Sequence, residues 1–181
     1  MASSIEAASN NGSRNLEGTE LLLRAPEERD GEAIWRLVKQ SGALDVNSAY
    51  LYIMLSSYFQ STCAIAELGS KPVGFVTGFR PPERLDTWFV WQIAVDKEAR
   101  GQGLARRLFD HVLAREENRG IRFLEATISP SNKASQSLFL GFARDRHASC
   151  QVSEGFPEEL FPLEGNHEDE KLFQIGPFQN E

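Results

Sequence analysis

Apolar and polar positions along the chain switch repeatedly between strand-like runs and helical spacing. From Glu20, "ELLLRAP" predicts a short strand. Pro26 and the acidic Glu27 and Glu28 then fit a helix start, and Ile34, Trp35, Leu37 and Val38 give that helix an apolar face. "SGALDVNS" interrupts the pattern as a loop, and "AYLYIMLSSYF" predicts a second helix with Tyr50 and Tyr52 near its start. "TCAIAEL" and "KPVGFVTGF" read as two strands around a turn at Gly69–Ser70. "TWFVWQIAVD" follows, apolar on both faces apart from Gln92, as a central strand should be. Leu104, Ala105, Leu108, Phe109, Val112 and Leu113 recur at helical spacing, with a left-handed cap expected at Gly120. "IRFLEATI" predicts the next strand. "SPSNKASQSLFL" predicts a short helix capped by Ser131 or Asn132 and ended by Gly141, and "FARDRHASCQV" a return to strand. An acidic, loop-rich segment leads to a last strand, "KLFQIG". The order β-α-α-β-β-β-α-β-α-β-β implies a mixed sheet in an α/β (α+β) domain without internal repeats.

Composition narrows the setting. Residues 1–18 are rich in Ser, Asn, Ala and Gly and predict a disordered tail, which leaves residues 19–181 as one domain. A formal charge of −7 disfavours nucleic acid and suits a cationic small substrate, although acidity also serves solubility alone. Cys63 and Cys150 form neither a CxxC site nor a disulfide framework, and no His/Cys/Asp cluster has metal-ligand spacing, so no metal is expected. No apolar run is long enough to span a bilayer and no secretory signal is visible, so the expected compartment is the cytoplasm.

The chemistry concentrates in "ARGQGLARRL", where a strand enters a glycine-containing turn and then a helix. Such a turn aims free backbone amides, reinforced by the helix dipole, at an anion; glycines let a phosphate approach the backbone. Arg106 and Arg107 oppose the dipole in the first helical turn, a conflict that a bound anion would remove. A plain helix cap with solvated arginines is the competing reading. The stretch is not a phosphate-binding loop with Gly-Lys-Ser/Thr, and it lacks the third glycine of the dinucleotide fingerprint. It does resemble motif A of the GNAT superfamily of acyl-CoA-dependent N-acyltransferases, as Arg100-Gly101-Gln102-Gly103-Leu104-Ala105, and "NKASQSLFLGF" resembles motif B. The resemblance implies the GNAT fold and acetyl-CoA as co-substrate. It places the pantetheine arm along Ile93, Ala94 and Val95, the pyrophosphate on the amides of Arg100 to Ala105, and Asn132 near the thiol end.

"SGALDVNSAYLY", "FVWQIAVDKEARGQGLARRL" and "GNHEDEKLFQIG" resemble one family more closely, the L-2,4-diaminobutyrate acetyltransferases that open ectoine synthesis. The resemblance implies acetyl transfer to the 4-amino group of L-2,4-diaminobutyrate, in a homodimer. Such transfer needs a neutral attacking amine, and a diamino acid adds a second ammonium and a carboxylate to be held. Between Ser153 and Glu170 lie seven acidic residues and no Lys or Arg; most suit a solvated loop, but His167 and Glu170 match the family's motif as catalytic candidates. Asp45 fits a helix cap by position alone, while the family pattern implies substrate binding by Asp45 and Asn47, with Tyr50 acting through its hydroxyl. Trp91 fits either the core or the acceptor pocket, where it would pack on the substrate's chain or cation. Phe139 stands where many GNAT enzymes carry a Tyr that protonates the departing thiolate, so either Tyr50 or a water serves instead, or thiolate loss needs little help because a thiol is a good leaving group. Glu170, His167 or a water remain as the base. The alternatives are a GNAT enzyme for another cationic amine, such as a polyamine or aminoglycoside, and a module that binds acyl-CoA without catalysis.

Overall fold

A computed structural model describes residues 20–42, 44–162 and 167–180; the expected tail over 1–18 lies outside the described residues. The elements follow the expected order: β1 (Leu21–Arg24), α1 (Gly31–Ser41), α2 (Ala49–Tyr58), β2 (Ala64–Leu68), β3 (Lys71–Phe79), β4 (Thr87–Val95), α3 (Leu104–Leu113), β5 (Phe123–Ile128), α4 (Lys133–Asp145), β6 (Cys150–Phe156) and β7 (Glu170–Ile175). The strands form one sheet in the order β1-β2-β3-β4-β5-β7-β6. Every neighbouring pair is antiparallel except β4 and β5, as the single crossover through α3 requires.

That parallel pair is short. It runs only from Thr87 opposite Phe123 to Phe89 opposite Glu125, so β4 continues to Val95 and β5 to Ile128 without pairing each other. The strands therefore part in the middle of the sheet. Against β3, Val90 pairs with Gly78 and Gln92 with Thr77, which leaves Trp91 as the extra residue of a β-bulge. Gly78 permits the close approach, since a Cβ there would lie 2.5 Å from both the Phe89 carbonyl and the Trp88 indole nitrogen.

Each face of the sheet buries its own apolar cluster. Trp88, Leu108, Phe109, Phe139 and Phe142 pack between the sheet and α3 and α4, with Phe109 edge-on to Trp88 and Phe142 at 5.5 and 5.6 Å. Ile34, Leu37, Val38 and Tyr52 pack with Ile65 and Phe75 under α1 and α2. Arg24 ties β1 to the segment ahead of α1 and to β2, donating to Asp30 at 2.6 and 2.8 Å and to Glu67 at 2.6 and 3.2 Å.

Two expected helix ends move. The helix after the glycine turn stops at Leu113, and Gly120 does not adopt a left-handed conformation. Arg115 leaves the helix to donate to the carbonyls of Gln60, Ser61 and Cys63, and buried Asn118 donates to Val112 and Ser61. Those bonds satisfy carbonyls that a continued helix would have left apart. The helix after Asn132 passes through Gly141 to Asp145, and strand resumes only at Cys150. Leu138, Phe139, Phe142 and Ala143 continue one apolar stripe across the glycine, and the burial of Phe142 outweighs the helix cost of Gly141, about 1 kcal/mol.

Candidate active site

The anion turn lies at the end of β4. Gly101 and Gly103 hold φ of 78° and 69°, the left-handed region, and a Cβ on either would point into open space. Gly103 is the N-cap of α3. Among the described residues, none of the backbone amides of residues 101–106 makes a hydrogen bond to another described residue. Six consecutive free donors at a helix N-terminus fit a pyrophosphate. The arginines act differently from the sequence expectation. Arg106 turns back along α3 and α4, donating to Asp145 at 2.7 Å, lying 3.5 Å from Asp110 and covering the Phe142 ring. Its conflict with the helix dipole is resolved by protein carboxylates, and no anion is needed to explain it. Arg100 donates to the Val95 carbonyl at 3.0 Å.

Ile93, Ala94 and Val95 pair with β3 on one side and lie beyond the last β4–β5 pair on the other. Their edge toward β5 is therefore the free edge a pantetheine arm would need. Asn132, just past the end of β5, caps α4 by accepting from the Ser135 amide at 3.1 Å, and its side-chain NH2 makes no hydrogen bond to a described residue. Phe139 is sealed in the core against Phe109 at 5.4 Å.

A second group of side chains collects at the start of β7. Burial pushes the Glu170 carboxyl up; a hydrogen bond from Thr127 pulls it down, and the charges of Asp45 and Glu168 push it up again, with His167 opposing. The net direction is upward. These four partners come from the α1–α2 loop, β5 and the acidic segment, so the fold unites residues that the sequence separates. The acidic segment is docked on α4: Glu168 accepts from the Ser131 amide at 2.9 Å, one residue from Asn132. His167 stacks on Phe161 at 4.9 Å. Glu164 lies outside the described residues.

Asp45 does not cap α2, whose N-cap is Ser48. The loop that carries it is held from beneath. Gln92 donates to the Asp45 carbonyl at 2.9 Å and accepts from the buried Tyr52 hydroxyl at 2.9 Å. Asn47 serves the same loop: its carbonyl accepts from Trp35 at 3.1 Å, and its side chain reaches the Asp45 carbonyl at 3.4 Å and the Tyr52 hydroxyl at 3.5 Å. Tyr50 stands on the first turn of α2, 74% exposed, with no hydrogen bond to a described residue. The structure does not join it to the Glu170 group. Trp91, on the bulge and 46% exposed, lines an apolar cavity of about 260 Å³ with Leu51, Met54, Leu55, Phe59 and Phe79. Among the described residues no group of His, Cys, Asp and Glu could hold a metal ion.

Comparison with known proteins matches this geometry to a family. The acetyltransferase (GNAT) family profile matches residues 31–142. An L-2,4-diaminobutyric acid acetyltransferase of Marinococcus halophilus is 50% identical over 158 residues, covering 87% of this chain and 91% of the relative. That of Shouchella clausii is 48% identical over 160 residues, covering 88% of this chain and 89% of the relative. The diaminobutyrate acetyltransferase EctA from Paenibacillus lautus, solved with L-2,4-diaminobutyric acid and coenzyme A, superposes with a TM-score of 0.86 at 46% identity, covering 91% of this chain and 99% of that one. A split parallel pair, a glycine turn with free amides and this degree of identity converge, and the chain belongs to the acetyltransferase (GNAT) family, among the L-2,4-diaminobutyric acid acetyltransferases.

Proposed function

We propose that the chain transfers the acetyl group of acetyl-CoA to the 4-amino group of L-2,4-diaminobutyrate, the opening reaction of ectoine synthesis. The observation that carries this reading is the gathering of Glu170, Asp45, Glu168 and His167 beside the end of β5, on the open side of the β4–β5 divergence, where β4 runs into the anion turn. The likeness to a diaminobutyrate acetyltransferase solved with this substrate and coenzyme A supports it.

Acetyl-CoA, when bound, supplies a thioester carbonyl. The amides of Gly101 to Ala105 hold its pyrophosphate, the free edge at Ile93 to Val95 receives the pantetheine arm, and Asn132 donates from α4. Glu170 takes the proton of the reacting ammonium: its carboxyl is raised by burial, an effect that the Thr127 hydroxyl only partly offsets. The Asp45 carboxylate attracts the substrate's ammonium charge and is kept beside Glu170 by the Gln92–Tyr52 brace. Trp91 gives the acceptor's carbon chain an apolar wall. Phe139 has no proton to give and is buried in the core, so this position of α4 does not supply the acid.

The setting belongs to the same proposal. The chain works in the cytoplasm, consistent with two free cysteines, and as a homodimer. Support for the dimer comes from the sheet edge at β6, where Val152 and Phe156, with Leu160 just beyond, are 54%, 51% and 69% exposed. Among the described residues no helix is long and apolar enough to cross a membrane.

Thiol release from acetyl-CoA tests the substrate assignment. Turnover with L-2,4-diaminobutyrate far above spermidine, ornithine, lysine and an aminoglycoside is expected. A preference for spermidine or the aminoglycoside would transfer the reading to another cationic amine, and coenzyme binding without turnover of any amine would leave a binding module.

A further inference from the structure

The groups around Glu170 suit an ammonium but leave the carboxylate of an α-amino acid without a partner. Asp45, Glu168 and Glu170 are all acidic. Lys171, next along β7, is held by Glu154 at 2.7 Å and Asp169 at 3.1 Å. A cation stands elsewhere on the Glu170 side of the sheet. Arg84, in the β3–β4 connection, has a side chain 49% exposed, and a terminal nitrogen of its guanidinium donates to Glu125 Oε1.

Glu125 is 1% exposed, and its Oε1 also accepts from Gln174 at 2.7 Å. Its Oε2 is buried with no hydrogen-bond partner among the described residues. A buried carboxylate left half satisfied is uncommon, and here it anchors a cation at the protein surface instead of closing a sealed ion pair. The rest of the Arg84 guanidinium makes no hydrogen bond to a described side chain, and that fork matches a carboxylate.

Placement on the sheet joins this pair to the site. Glu125 and Thr127 are alternate residues of β5 and share one face, and Thr127 pairs with Leu172, so that Glu170, two residues before Leu172 on β7, lies on that face as well. Along β7, Glu170 lies four residues from Gln174, the partner of Glu125, about 13 Å of strand, which an extended four-carbon amino acid spans together with the Arg84 and Glu170 side chains. Phe89, paired with Glu125, lies beside them two residues before the Trp91 bulge.

We propose that Arg84 is a specificity-determining residue that binds the carboxylate of the acceptor, with buried Glu125 as the residue that positions it. The assignment rests on a diamino acid being the substrate, as proposed above. Arg84 then selects the amino acid over a plain diamine with the same spacing of nitrogens.

The test compares kcat/KM for L-2,4-diaminobutyrate with that for 1,3-diaminopropane, which is the same molecule without its carboxylate. Where the diamine is too poor a substrate, its competitive inhibition constant takes the place of kcat/KM. Arg84→Met is expected to reduce the preference for the amino acid by about 10- to 100-fold, through KM more than kcat, and Arg84→Lys to restore part of it. Acetyl-CoA binding by calorimetry checks that each variant is folded, and Arg84→Gln replaces Arg84→Met if the latter is not. An unchanged preference in a folded Arg84→Met or Arg84→Gln variant overturns the assignment. Should the unaltered chain fail to acetylate diaminobutyrate, the substrate reading falls first and this assignment with it.

Discussion

Glu170 carries the sharpest expectation for a single residue. Its carboxyl is held above the usual range by burial and by neighbouring acidic charge, so it accepts a proton from an ammonium more readily than an exposed glutamate does. Glu170→Gln is expected to lower kcat by about 10²- to 10⁴-fold. The same shift has a consequence for stability. A carboxyl whose folded value lies above its unfolded value favours folding fully at pH below the unfolded value, and that contribution is lost as pH rises through the folded value. Glu170→Gln is therefore expected to raise Tm at pH 8 and to change it less at pH 4. Thermal unfolding at both pH values checks this, and a lower Tm at pH 8 contradicts it. Glu170 is visible in the sequence because "NHEDE" runs into a strand. The pairing of Tyr52 with Gln92 is not: each stands out singly, but no local signal joins them until the fold brings them together across 40 positions. Arg106 misleads for a related reason, since Asp145, 39 positions away, supplies the charge that its own helical turn lacks.

At the scale of elements, period and order are legible and ends are not. The strand–turn–helix around Gly101 and Gly103 stands out because those backbone angles need glycine. The ends of α3 and α4 depend on contacts from elsewhere, through Arg115, Asn118 and Phe142, which no local signal carries. The β4–β5 divergence has no signal in the hydrophobic pattern, and only the family resemblance implies it, through the strand it gives to the pantetheine arm. The edge strand β6 is the element on which the proposed dimer rests. Its Val152 and Phe156 are each about half exposed, and light scattering is expected to give twice the mass of one chain. Replacing both by Lys is expected to shift the protein toward single chains, and a single-chain mass for the unaltered protein contradicts the dimer.

Across the whole molecule, the sheet divides two tasks. One end of the β4–β5 divergence presents free amides to an anionic co-substrate, and the face beneath α1 and α2 presents carboxylates to a cationic acceptor. The overall charge of −7 agrees with such an acceptor without specifying it. Which nitrogen of the acceptor reaches Glu170 decides which amide forms. Proton NMR of the product formed from acetyl-CoA and L-2,4-diaminobutyrate reads it directly. The C4 methylene signal is expected to move downfield with the α-proton nearly unmoved, as acetylation at the 4-amino group requires. A downfield shift of the α-proton with the C4 methylene unmoved, marking acetyl transfer to the 2-amino group, would contradict it.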